Sequence, residues 1–242
     1  EAKAMRVSGL YAPGVNIHRN PFGGRNYEYF SEDGVHSGLM AAAEIQGIQS
    51  EGVYCYTKHF AINDQETNRD AGGLCTWVNE QAAREIYMKG FELADKVGKS
   101  QGMMAAFNRL GTTNAAESYP LLTEVLRNEW GFQGTVITDC IMQLGYINVD
   151  RCLRAGCDLQ LSLMNLHTPS ELTTGTTTGH QALRQATHNI LYTTANSAGL
   201  DVSVIPVPVW LYVTVGIVDM ALVALCVFYF VRRHQNMKRW KQ

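Results

Sequence analysis

Asp139 closes the run GTVITDC (134–140), directly after Thr135, Val136, Ile137 and Thr138, four residues of high β-propensity. A carboxylate at the edge of an apolar run costs free energy unless it is paired, solvated or employed in chemistry. Similar polar endings recur along the chain. VYCYTKHF (53–60) carries Lys58 and His59 near its end, GMMAAFN (102–108) ends in Asn108, and AGCDLQLS (155–162) contains Asp158. A carboxylate in such company can act as nucleophile or base, while cationic donors orient hydroxyls and keep a nearby carboxylate ionised. Each residue also has a plainer reading. An Asp after a strand serves as a helix cap or loop acceptor, a His as a satisfied structural residue, and Arg25, between Gly24 and Asn26, as a tie for its loop.

The elements that must position these groups follow from periodicity. Five segments read as strands: MRVSGLYAPG (5–14), VYCYTKHF, MMAAFN (103–108), TVITD (135–139) and CDLQL (157–161). Residues 78–97 place Ala82, Ile86, Gly90, Leu93 and Val97 on one helical stripe. Residues 118–130 do the same with Leu122, Val125, Leu126 and Trp130, opening on a Ser118 cap with Pro120 in the first turn. A third helix, 181–196, carries Leu183, Ala186, Ile190 and Leu191, and TTGTTTG (173–179) reads as a surface loop or linker. Trp77, Phe107 and Trp130 read as core aromatics.

Strands alternating with helices predict a parallel α/β sheet. Neither GxGxxG nor GxxxxGK[ST] follows any strand, so nothing supports a nucleotide site on a doubly wound sheet. Functional groups at several strand ends fit a (β/α)8 barrel, where they converge at one rim. Five strands fall short of eight, so the expectation is a partial (β/α)8-type barrel that is open or whose first strands lie outside this sequence. The start on Glu1 without an initiator methionine predicts a fragment or processed product.

The formal charge of -2, from 20 basic and 22 acidic residues, offers no basic field for a phosphate backbone and excludes nucleic acid as a partner. Six cysteines in 242 residues, none in CxxC spacing, read as free and mostly buried thiols. WLYVTVGIVDMALVALCVFYFV (210–231) has Asp219 as its one charge and is long enough to span a bilayer core. Arg232, Arg233, Lys238, Arg239 and Lys241 follow, which predicts a cytoplasmic C-terminus and an external domain. The competing reading is a buried core helix, favoured by Asp219, whose insertion costs about 2.5–3.5 kcal/mol. The expected organisation is a barrel domain over 1–198, a linker over 199–209, a transmembrane helix over 210–231 and a basic tail over 232–242.

Four strings make a resemblance specific: GVNIHRNPFGGRNYEYFSED (14–33), TKHFAINDQETNR (57–69), MAAFNRLG (104–111) and LLTEVLRNEWGFQGTVITD (121–139). In this order they are similar to the successive motifs of the glycoside hydrolase family 3 β-glycosidases, over most of residues 5–165. ALRQATHNILYTTANS (182–197) resembles the helix that closes the barrel in members whose barrel follows the second domain. The resemblance implies that Asp139 is the catalytic nucleophile of a retaining mechanism, which needs a second carboxyl group about 5–5.5 Å away. It implies that Arg25, Lys58 and His59 bind the sugar of the −1 subsite, and Arg69 with them unless it merely pairs with Glu66 or Glu28. Phe107 stands where many members place a tyrosine beside the nucleophile.

KHFAINDQ replaces the KHFPGHG string of the N-acetylglucosamine-removing branch, which favours the glucosidase and xylosidase branch. There the acid/base is a glutamate of a second, α/β sandwich domain, expected upstream in the full protein. Cys140 replaces the usual aromatic after the nucleophile, and Gly34 a proline. No metal or organic cofactor is implied, because two carboxyl groups suffice. The expectation is a membrane-anchored, exo-acting β-glycosidase that removes β-linked glucose or xylose outside the cell. Its alternative is a non-catalytic, membrane-tethered carbohydrate-binding barrel or an inactive remnant.

Overall fold

The computed structural model describes residues 1–69, 75–141, 145–162, 168–198 and 208–239. The stretch expected as a linker, 199–209, lies almost wholly outside the described residues. Two compact units result, Glu1–Asp201 and Val202–Gln242.

The first unit is built on a parallel sheet of β1 (Gly9–Leu10), β2 (Tyr54–Phe60), β3 (Gly102–Ala105) and β6 (Thr135–Ile137), in the order β1-β2-β3-β6. Register runs Leu10↔Cys55, Thr57↔Met103 and Met103↔Val136, and a parallel bridge from Ile137 to Leu159 extends the order to the fifth expected strand. Strands adjacent in the chain are adjacent in space, as in a segment of a (β/α)8 barrel. The fold is therefore mixed α/β with the arc of a partial barrel, and the ends of all these strands share one rim. A short antiparallel pair, β4 (Arg109–Leu110) and β5 (Thr113–Asn114), follows β3 on that rim.

Helices cover the outer face. In α1 (Gly34–Gln49), Asp33 caps the first turn by accepting from the Val35 and His36 amides. Its buried side is Ser37, Gly38, Ala41, Ala42 and Ile45, small enough to let it press on α3 (Lys89–Lys96). A Cβ on Gly38 would sit 2.7 Å from the Leu93 Cβ. Such a face has little hydrophobic contrast, and for that reason periodicity gave no sign of α1. Between the sheet and these helices lie Phe60, Phe91, Met103, Leu122, Leu126 and Val136, all buried, with the Phe60 ring 5.3 Å from Phe91 and 5.6 Å from Trp130.

Several expectations are corrected. The helix expected over 78–97 consists of a turn, α2 (Glu80–Ala82), then a π-helical stretch Ala83–Tyr87, then α3. The Met88 amide bonds to Ala83 O, five residues back, so one extra residue rotates the stripe. Gly90 faces inward as expected, but its buried companions are Phe91 and Ala94, and Ile86 and Val97 are exposed. The 118–130 helix is also π-type, over Pro120–Glu129; Leu122, Val125 and Leu126 are buried as expected, but no side chain caps it. The threonine-rich stretch 173–179 is not a plain loop. It ends α5 (Glu171–Thr174) and starts α6 (Thr177–Ala195), whose cap is Thr176, accepting from the Gly179 amide. Leu191 of α6 is exposed. Trp77 is no core residue: it is 87% exposed.

The cysteines are free as expected, but only Cys55, Cys152 and Cys157 are buried, while Cys140 is half-buried and Cys75 and Cys226 are exposed.

The second unit is one helix, α7 (Val209–Arg239). Its stretch Val209–His234 contains an 18-residue window with a mean hydropathy of 2.3 and is long and apolar enough to cross a membrane.

Candidate active site

Asp139 owes its place to a clasp behind β6. Arg127 bonds the buried Asp158 at 2.8 Å, Asp158 accepts from the Val136 amide at 2.7 Å and from Asn189 at 2.8 Å, and Thr193 of α6 accepts from the Thr135 amide at 2.9 Å. Asp158 is thus a buried anchor of the sheet and not a rim residue. Asn108 is likewise a scaffold: its amide donates to Ile62 O at 3.0 Å and Thr76 Oγ1 at 3.1 Å. With β6 fixed, the chain releases Asp139 at the rim, half-buried.

The two carboxylate oxygens of Asp139 differ. Oδ1 accepts from the Cys140 amide at 2.7 Å. Oδ2 is shielded from solvent and accepts no hydrogen bond among the described residues, within which Arg69 Nη1 lies at 3.9 Å and His59 Nε2 at 4.0 Å. An attacking oxygen needs this freedom, since a lone pair tied to a donor cannot reach carbon.

His59 is fixed from behind. Its backbone N–H donates to Asn16 Oδ1 at 2.7 Å, Asn16 Nδ2 donates to His59 O at 3.0 Å, and the Tyr29 hydroxyl lies 3.3 Å from Nδ1. Burial, then the charges of Arg25, Lys58 and Arg69, hold its imidazole well below the usual histidine range, so it is neutral. Burial raises the Tyr29 phenol, which keeps its proton. Nδ1 lies 3.3 Å from both the Tyr29 hydroxyl, which can donate to it, and Asn16 Oδ1, which can only accept from it, so the ring's tautomer follows from which of the two it engages.

The cations form a chain of pairs around this centre. Lys58 bonds Glu28 at 3.0 Å, Arg25 bonds Glu28 through Nε and approaches Glu66 at 3.7 Å, and Arg69 bonds Glu66 at 3.0 Å and Asn63 at 2.8 Å. Burial opposes ionisation of Glu28, but the hydrogen bonds and charges of Arg25 and Lys58 outweigh it and hold the carboxyl below its ordinary range. Three cations thus meet three carboxylates, Glu28, Glu66 and Asp139. Two are committed to partners and one is not.

Phe107 enters through its ring. The Arg69 guanidinium lies 4.8 Å over Phe107, Phe107 stacks on Tyr146 at 4.3 Å and 17°, and Arg109 covers the far face of Tyr146 at 4.7 Å. The Tyr146 hydroxyl donates to Phe107 O at 2.6 Å and lies 3.1 Å from Arg69 O, which ties the column to the backbone that carries Arg69. All six expected site residues, Arg25, Lys58, His59, Arg69, Phe107 and Asp139, therefore come together. Asn16, Tyr29, Asn63 and Tyr146 were not singled out beforehand, and Glu28 and Glu66 only as potential partners of Arg69. The one available signal was spacing: Glu28 and Glu66 each stand three residues from an arginine within their strings.

Similarity to known proteins points the same way. Residues 1–207 match the model of the glycosyl hydrolase family 3 N terminal domain. A beta-glucosidase of Ruminococcus albus is 46% identical over 139 residues, covering 57% of this chain and 14% of that protein. Thermostable beta-glucosidase B of Acetivibrio thermocellus is 45% identical over 163 residues, 66% of this chain and 21% of its own length. Among solved structures, beta-glucosidase 3B of Thermotoga neapolitana in complex with glucose superposes with a TM-score of 0.75 at 38% identity, covering 83% of this chain and 29% of that one. The chain thus spans about a fifth or less of these curated relatives. A family match over residues 1–207, a shared fold and a rim that gathers the motif residues around one uncommitted carboxylate make this chain a member of glycosyl hydrolase family 3, carrying its N-terminal domain.

Proposed function

We propose that the protein to which this chain belongs is a retaining, exo-acting β-glycosidase that removes terminal β-linked glucose or xylose, with Asp139 as its nucleophile. The observation that carries this reading is the bare Oδ2 of Asp139 in a site whose other carboxylates are all bonded. Asp139 attacks the anomeric carbon and forms a glycosyl-enzyme ester; the leaving oxygen takes a proton from an acid, and water then cleaves the ester with that residue as base. Lys58, Arg25 and neutral His59 grip the hydroxyls of the −1 sugar, and the Arg69 guanidinium stands 3.9 Å from the attacking oxygen. Glu66 and Glu28, tied to arginines and lysine, are poor acids, so the acid/base comes from a second domain outside this chain. The beta-glucosidase names of the relatives support glucose as the first substrate to test. The apolar part of α7 and the basic residues from Arg232 onward support a single-pass anchor with this domain outside the cell, residues 1–198 forming the barrel part and 210–231 the span.

A 2-deoxy-2-fluoro-glucoside with a dinitrophenyl leaving group needs no acid catalyst, so it tests the nucleophile alone. Incubated with the chain, it is expected to add one sugar to the intact mass, and Asp139→Asn to abolish the addition. A folded chain that gains no mass would favour a non-catalytic carbohydrate-binding barrel or an inactive remnant instead. For the same reason, unactivated cellobiose is expected to be cleaved by this chain at no more than background rate.

A further inference from the structure

The segment 61–69, which follows β2, divides the rim. Asn63, Glu66 and Arg69 belong to the network around Asp139, whereas Ile62, Asp64 and Gln65 line a separate, partly open cavity of about 120 Å³, lined also by Arg19, Trp77 and Tyr87 among others. This cavity is well below the roughly 300–1,000 Å³ that encloses a whole drug-sized ligand. It has room for the substituents of a sugar ring, not for the ring.

Two features mark it as built for a ligand. Asp64 Oδ1 accepts from the Ile17 amide at 2.7 Å, while Oδ2, shielded from solvent, has no hydrogen-bond partner among the described residues. Burial pushes this carboxyl up to about 7, against the Ile17 bond and the charge of Arg19, so near neutrality it can donate as well as accept. Beside it, Trp77 presents an indole that is 87% exposed, far more than a core residue would show. A polar lining next to a bare aromatic platform fits a pyranose: the C–H face lies on the ring, and the exocyclic hydroxyls enter the cavity that Asp64 and Gln65 line.

We infer that Trp77 and the Asp64 cavity form a second sugar-binding subsite, on the far side of segment 61–69 from Asp139, that takes a neutral pyranose unit of a longer β-glucoside. The inference rests on the proposed glycosidase reading only for the class of sugar. It predicts that a trisaccharide binds more tightly than glucose, because it engages both sides of the divide.

The test is calorimetric titration of the full chain in detergent with cellotriose and with glucose. Loss of an aromatic platform from a stacked sugar is expected to weaken cellotriose binding about tenfold in Trp77→Ala, and Trp77→Phe to recover most of it. Labelling by the fluoroglucoside, which occupies the −1 subsite alone, is expected to stay within about twofold of wild type in both variants. Equal affinity of wild type for cellotriose and glucose would overturn the inference. So would unchanged cellotriose affinity in Trp77→Ala, which would assign the exposed indole to a contact with another part of the full protein. If labelling fails in the wild type while Trp77→Ala still loses cellotriose, the subsite stands and the nucleophile assignment falls.

Discussion

Asp139 and Asp64 are rim carboxylates in opposite circumstances. Asp139 has Arg69 within 3.9 Å; Asp64 has burial, one amide donor and the more distant charge of Arg19. For Asp64 the folded-state value of about 7 lies above the unfolded value of 3.8, so the folded protein holds a proton that the unfolded chain has released throughout that window. Its contribution to stability is therefore greatest at low pH and falls as pH rises from about 4 to about 7. Asp64→Asn is expected to raise stability at pH 8 by about 2 kcal/mol after discounting for partial exposure, with the gain vanishing below pH about 4. Thermal unfolding of the two proteins across pH reads this directly. The residues now gathered at the rim were legible because each sits in a string whose order is specific. The Arg69–Glu66 pair was legible as an alternative role for Arg69, but the pairing of Glu28 with Arg25 and Lys58 was not, since an ion pair is a property of two positions in space. Trp77 was misread for a related reason: a large apolar side chain is buried only if something covers it, and its composition says nothing of that.

At the scale of elements, the strands were the most readable part, because buried parallel strands are short runs of β-branched and apolar residues with abrupt polar ends. Helices were read less well. The helix from Glu80 to Lys96 was found but its inward face was set off by a π-helical insertion, which no 3.6-residue template contains. α1 escaped notice because glycine, alanine and serine make its buried side. That side makes a sharp prediction. Gly38→Val drives a branched side chain into Leu93 and is expected to cost about 1–3 kcal/mol, whereas Asp33→Ala, which removes only the cap, is expected to cost about 1 kcal/mol. Chemical denaturation of both variants would rank them; equal costs would mean that the α1–α3 contact yields where it looks tight.

At the scale of the whole molecule, α7 carries its single acid, Asp219, within Val209–His234. If that helix spans a bilayer, Asp219→Leu should favour insertion by about 3 kcal/mol, measurable as a larger inserted fraction in a glycosylation-reporter assay. An unchanged fraction would speak against a membrane span. The strand order has a different consequence, which concerns how the sheet comes to exist. Because β1, β2, β3 and β6 lie side by side in the order in which a ribosome makes them, each emerges next to a partner already present. Assembly can then run in the direction of translation, with no strand waiting for a distant mate. A truncation that removes the last strand peels one edge and leaves the earlier pairs intact, while deletion of β2 or β3 from the interior cuts the sheet in two.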